Sequence, residues 1–87
     1  MAYKIIIDEK ALNELANLPR KIQRQITNKI DNLASDPRPA GCKIIQQDKS
    51  LYRIRSGDYR IVYQIREKQV LVLVVRIGHR KDIYRKL

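Results

Sequence analysis

The sequence predicts an α+β fold, with helices layered on one face of a sheet. Three observations predict it: a short β-branched run at the start, two stretches of helical period after it, and a second half in which the period becomes two. Tyr3 to Ile7 is apolar and β-branched and reads as the first strand. Asp8 is of the type that caps a helix. From Glu9 onward Leu12, Leu15 and Leu18 recur at helical spacing, and Pro19-Arg20 breaks the chain before a second helix whose stripe is Ile22, Ile26, Ile30 and Leu33. The rest of that second helix, including Arg20, Lys21, Arg24, Gln25, Asn28 and Lys29, is polar or basic and faces water or a partner. Asp36-Pro37-Arg38-Pro39-Ala40-Gly41 is a turn cluster in which no helix continues.

Beyond the turn cluster, Leu51 to Arg55, Tyr59 to Arg66 and Val70 to Ile77 read as three strands. Ser56-Gly57-Asp58 and Glu67-Lys68-Gln69 join them and are short enough for hairpins, so the three form an antiparallel meander. Side chains alternate along a strand. Tyr52 and Ile54 therefore oppose Arg53 and Arg55, and Tyr59, Ile61, Tyr63 and Ile65 oppose Arg60, Val62, Gln64 and Arg66. The apolar face is expected under the helices and the arginine face open. Gly78 to Lys86 reads as a polar segment after the last strand, a loop or a short helical turn.

A chain of 87 residues holds one domain, 1–87, since at this size only about two-thirds of the unfolded surface is buried and two cores cannot be supported. With 44% hydrophobic and 32% charged residues and no low-complexity tract, it folds rather than staying disordered. Nineteen Lys and Arg against nine Asp and Glu give a net charge of +10, a field that attracts polyanions, nucleic acid first among them. The start lacks a signal-peptide pattern, no apolar run reaches the ~20 residues that span a bilayer, and Cys42, the single cysteine, has no internal disulfide partner. A cytoplasmic protein without a membrane partner is expected. Cys42 itself reads as a small apolar residue after a turn.

The order strand, two helices, three-strand meander, together with Tyr59-Arg60-Ile61-Val62-Tyr63-Gln64 and Gly78-His79-Arg80-Lys81-Asp82-Ile83-Tyr84-Arg85, resembles the RelE/ParE toxin superfamily. The opening Ala2-Tyr3, the run Asp8 to Leu12, and Leu51 to Asp58 leading into Tyr59-Arg60 resemble its RelE branch. The resemblance covers nearly the whole chain. It implies a toxin of a type II toxin–antitoxin pair, silenced by an acidic RelB-like antitoxin that wraps it, with the complex binding operator DNA through the antitoxin. RelE-like members enter the ribosomal A site and cut mRNA there, whereas ParE-like members inhibit DNA gyrase.

Metal-free RNA cleavage needs a base for the ribose 2′-OH, cations around the charged phosphorane, and an acid for the leaving 5′-oxygen. Arginine suits the middle role, because its guanidinium stays charged and presents a planar fork to phosphate oxygens. The resemblance assigns Arg60 to the scissile phosphate, Arg80 to the transition state or leaving group, and Tyr84 to stacking on a base or joining the proton relay. Arg53, Arg55, Lys49 and Lys81 are the candidates for holding RNA or the ribosome. Arg53 and Leu51 stand where RelE-like lysines would act in proton transfer, and an arginine is a poor base. His79, the one imidazole, is therefore the candidate proton exchanger, with Tyr84, Lys43, Lys49 or a ribosomal group as the other possible bases.

The carboxylates are scattered with no pair on the arginine face, which argues against a two-metal nuclease. No Gly-rich phosphate loop, zinc-ligand cluster or serine triad is present, and no cofactor is expected. Three readings remain: a ribosome-dependent mRNA endoribonuclease, a gyrase inhibitor acting by protein contact, and a ribosome-binding toxin whose catalysis has been lost.

Overall fold

The computed structural model describes residues 2–81. Strand β1 (Lys4–Ile7) leads into helices α1 (Glu9–Ala16) and α2 (Arg20–Asn32). Strands β2 (Lys43–Gln46), β3 (Leu51–Ser56), β4 (Tyr59–Arg66) and β5 (Leu71–His79) follow, with one 3-10 turn at Glu67–Gln69 between the last two. The strand order is β1-β5-β4-β3-β2. The β3-β4-β5 meander forms as expected, while β1 returns to pair in parallel with β5, from Lys4 opposite Leu71 to Ile7 opposite Val74. The fold class is the expected α+β, with helices on a sheet.

Four details differ from the sequence reading. Strand β2 was not expected; Ile44 and Ile45 are adjacent rather than alternating, and four residues are too few to display a period. Strand β5 runs to His79, so Gly78 and His79 belong to the sheet and not to a loop, while Val70 turns out of it with φ +50°. In α1 the buried pair is Ala11 and Leu15, and Leu12 is exposed, because the i, i+4 spacing of 11 and 15 holds one side whereas steps of three drift around the helix. Asp8 stands at the start of α1, but its backbone carbonyl accepts the Leu12 N–H (2.8 Å) and its side chain makes no cap.

The core lies between the helices and one face of the sheet. Ile26, Ile30 and Leu33 of the second helical stripe are fully buried against Ile54, Ile61 and Tyr63 of the meander, and Ile22 packs at its margin. Tyr63, with no exposed surface, donates its hydroxyl to the Pro37 carbonyl (2.7 Å) and so ties the 36–41 loop to the sheet. Burial first, then neighbouring Cys42, pushes that hydroxyl far above the ordinary tyrosine range, so it stays a donor. Arg38 holds the same loop from outside, bonding the Tyr52 hydroxyl (3.0 Å) and Glu67, with its guanidinium 5.2 Å above the Tyr52 ring. No helix among the described residues is long and apolar enough to cross a membrane.

Candidate functional site

In an antiparallel pair, residues directly opposite one another share a face. Arg55 is opposite Arg60, and Arg60 is opposite Gly78, so the two guanidinium groups stand side by side with a residue lacking a side chain beyond them. Arg53 is opposite Val62 on one side and Lys43 of β2 on the other. Arg53, Arg55 and Arg60 are thereby brought to one face, as expected. The face is not a uniform basic sheet, because Val62 within it is fully buried.

A β-bulge decides what β5 adds. Val62 is opposite Arg76 and Tyr63 is opposite Val74, so Val75 is the extra residue. The insertion reverses the phase of everything after it. Gly78 comes to the Arg60 face, while His79 lies opposite Tyr59 on the other face, and Arg80 follows in the turn beyond the strand. The His79 ring meets the Tyr59 ring edge-on at 5.6 Å, and its Nδ1 accepts a long bond from the Lys81 N–H (3.3 Å). Arg80 is exposed, and its N–H donates to the Asp58 carbonyl (2.8 Å), which pins the end of β5 to the β3–β4 turn. His79 thus sits at the rim of the sheet rather than within the arginine cluster.

Glu14 of α1 fixes this end of β5. Strand β1 stops pairing at Val74, which leaves the Ile77 N–H on a bare edge; Glu14 accepts it (2.9 Å) and also takes the Arg76 guanidinium (3.0 Å). The strand end that carries Gly78, His79 and Arg80 is held in place by that carboxylate.

Within the cluster Arg53 and Arg60 are half-buried and Arg55 is exposed; Arg60 is distinguished by one of its nitrogens. Its Nη1 atom has lost contact with solvent without gaining a hydrogen-bond partner among the described residues. Nη1 of Arg76 is buried in the same way, and neither atom is within an anion's reach; Arg60 meets one only through the rest of its half-buried side chain. Beside it opens a cleft of about 520 Å³. One wall is Lys29 and Asn32 of α2, the opposite wall is Arg53, Arg55 and Arg60, and Lys43 with the segment Pro39–Gly41 closes the side. No acidic residue is among those lining it. Lys29, Asn32 and Gly41 were not singled out as site residues by the sequence, because a helical lysine on a polar face looks like any solvated charge.

Lys49 lies elsewhere, in the β2–β3 turn with its carbonyl bonded by Gln64. Leu51 to Arg55 is about 13 Å of extended strand, and Lys49 lies beyond Leu51. Leu51 is opposite Gln64 and equally distant from Arg60 along the strands. Lys81 is exposed at the end of the described residues, and Tyr84 lies outside them.

The family model described as "ParE toxin of type II toxin-antitoxin system, parDE" matches residues 5–84. The mRNA interferase toxin RelE of Escherichia coli strain K12 is 33% identical over 82 residues, covering 93% of this chain and 86% of that protein. Toxin RelG of Mycobacterium tuberculosis is 28% identical over 87 residues, covering 99% of this chain and all of that protein. Among solved structures, the toxin in the intact Escherichia coli RelBE toxin–antitoxin complex superposes with a TM-score of 0.77 at 32% identity, covering 90% of this chain and 96% of that one. A chain of the archaeal RelE–RelB complex from Pyrococcus horikoshii OT3 superposes with a TM-score of 0.84 at 25% identity, covering 94% and 99%.

Proposed function

This chain belongs to the ParE-type toxin family of type II toxin–antitoxin systems, and from that premise we propose that it is a RelE-like toxin that stops translation by cutting mRNA on the ribosome. The observation that carries the reading is the cluster of Arg53, Arg55 and Arg60 on one cleft with no acidic residue among those lining it. A gyrase inhibitor acting by surface contact has no need of an arginine-lined cleft. A phosphodiester bound for reaction does.

In the proposed reaction the ribose 2′-oxygen attacks phosphorus, the bond to the 5′-oxygen breaks, and the products end in a 2′,3′-cyclic phosphate and a 5′-hydroxyl. The 2′-OH proton passes to a base and the leaving oxygen takes one from an acid. Arg60 and Arg80 hold the charge that builds on the phosphorane, and Arg53, Arg55 and Lys81 hold the strand or the ribosome. His79, on the Tyr59 face at the end of β5, exchanges protons by reaching round that end, and Tyr84 orients the nucleotide. Lys49, at the far end of β3, serves ribosome docking. No step assigned to these side chains calls on a cofactor.

An acidic RelB-like antitoxin is the proposed partner, in keeping with the antitoxin complexes of the related toxins, and operator DNA is reached through it. The single 1–87 domain acts in the cytoplasm. Induced expression with primer extension on cellular mRNA tests the function. Cuts confined to translated frames are expected, whereas intact mRNA with gyrase-linked DNA breaks would return the chain to the gyrase-inhibitor reading.

A further inference from the structure

The cleft beside Arg60 is larger than one phosphate requires. Its volume of about 520 Å³ lies within the ~300–1,000 Å³ typical of clefts that enclose a small organic ligand. Its two long walls come from different layers of the fold. The wall on α2 carries Lys29 and Asn32, and the wall on the sheet carries Arg53, Arg55 and Arg60. Pro39, Ala40 and Gly41 line the space between with small and apolar surface, and a Cβ built on Gly41 would meet nothing within 4 Å. The cleft exists because β2 stops at Lys43, opposite Arg53, so that β3 from Ile54 to Ser56 is left as a free edge facing α2.

We infer that this cleft is a subsite for the nucleotide adjoining the scissile phosphate, with its base against Pro39–Gly41 and its own phosphate between Lys29 of α2 and Lys43 of β2. The inference rests on the reading that Arg60 holds the scissile phosphate. With a phosphate at Arg60, which lines the cleft, the polymer has to leave past one of the cleft walls. The α2 wall offers a cation, Lys29, and a side-chain amide, Asn32, that can donate to and accept from a base edge. RNA fits better than an acidic protein segment, because the small apolar surface of Pro39 and Ala40 sits beside the cations lining the cleft. Beyond the cleft the outer face of α2 continues the positive track through Arg24 and Arg20, both exposed.

The test uses oligoribonucleotides made uncuttable by a 2′-deoxy substitution at the scissile nucleotide, with the full-length toxin, and reads affinity by fluorescence anisotropy over a range of salt. Probes extended by one nucleotide on either side locate the subsite, since only one extension is expected to raise affinity in the unsubstituted toxin. Lys29→Ala is expected to abolish that increment and to reduce the log–log salt slope by about 0.7, the value for one phosphate of a single strand. Lys29→Arg is expected to retain both, and Lys68→Ala, in the β4–β5 turn, is expected to keep the increment. Lys29 is exposed, so its substitution leaves the core intact.

Unchanged increments and slope in Lys29→Ala overturn the inference. So does an outcome in which the substitution weakens only the binding of an acidic antitoxin, which would make the α2 wall a protein interface. Because the probe cannot be cut, the nuclease reading fails or stands separately: it fails if cuttable RNA on ribosomes stays intact, whatever Lys29 does.

Discussion

Arg60 carries the heaviest assignment at the scale of single residues. Its neighbours in register are Arg55 and Gly78, and no acidic residue is among those lining the cleft it borders, so its charge faces a site for an anion. Arg60→Ala is expected to slow single-turnover cleavage on ribosomes by roughly 10²–10³-fold, as loss of one oxyanion-hole donor does, with ribosome affinity little changed. Equal losses of binding and rate would make Arg60 a docking residue. His79→Gln is expected to slow the same step by about 10²-fold or more, the lower bound for a general acid or base. An unchanged rate would mark the imidazole, which faces Tyr59, as a spectator. Glu14 answers both a strand-edge N–H and a guanidinium, so Glu14→Ala is expected to cost about 1.5–3 kcal/mol in urea unfolding.

The bulge at Val75 shows, at the scale of elements, why the site was only partly legible in the sequence. The alternation of β3 and β4 is clean, and by itself it puts Arg53, Arg55 and Arg60 on one face. In Val70 to Ile77 four valines and two leucines hide the period, so the extra residue leaves no trace, and the phase of Gly78 and His79 could not be read. Without the bulge His79 would share the arginine face and Gly78 would not. The α2 wall was hidden for a different reason. Which polar face of a helix borders a cleft depends on a β2 too short to announce itself.

The turns make the element-scale argument testable. Gly57 has φ +60° in the β3–β4 hairpin with open space around it, so Gly57→Ala meets backbone strain and no clash, and a loss of about 1 kcal/mol is expected. The loop-holding network makes stability depend on acid. The hydroxyl of Tyr3 and then the guanidinium of Arg38 hold the Glu67 carboxyl below the usual carboxylate range. A depressed folded value means that the stabilisation is complete above the ordinary carboxylate value of about 4.3 and is lost as pH falls through the lower folded one. Urea midpoints for Glu67→Gln are expected to show a shallower acid decline than the unsubstituted chain. Identical declines would mean that Tyr3 and Arg38 do not stabilise the ionised form.

At the scale of the whole molecule a net charge of +10 on 87 residues gives affinity for any polyanion, so binding alone says little about function. Discrimination comes from the chemistry at Arg60, which a docking protein does not need. The most direct test is therefore single-turnover incubation of the purified toxin with ribosomes carrying a defined mRNA in the A site, followed by analysis of the product ends. Cleavage within the A-site codon giving a 2′,3′-cyclic phosphate and a 5′-hydroxyl, strongly slowed in Arg60→Ala, is the predicted result. Intact mRNA on saturated ribosomes, or cleavage at the same rate in Arg60→Ala, would contradict the account.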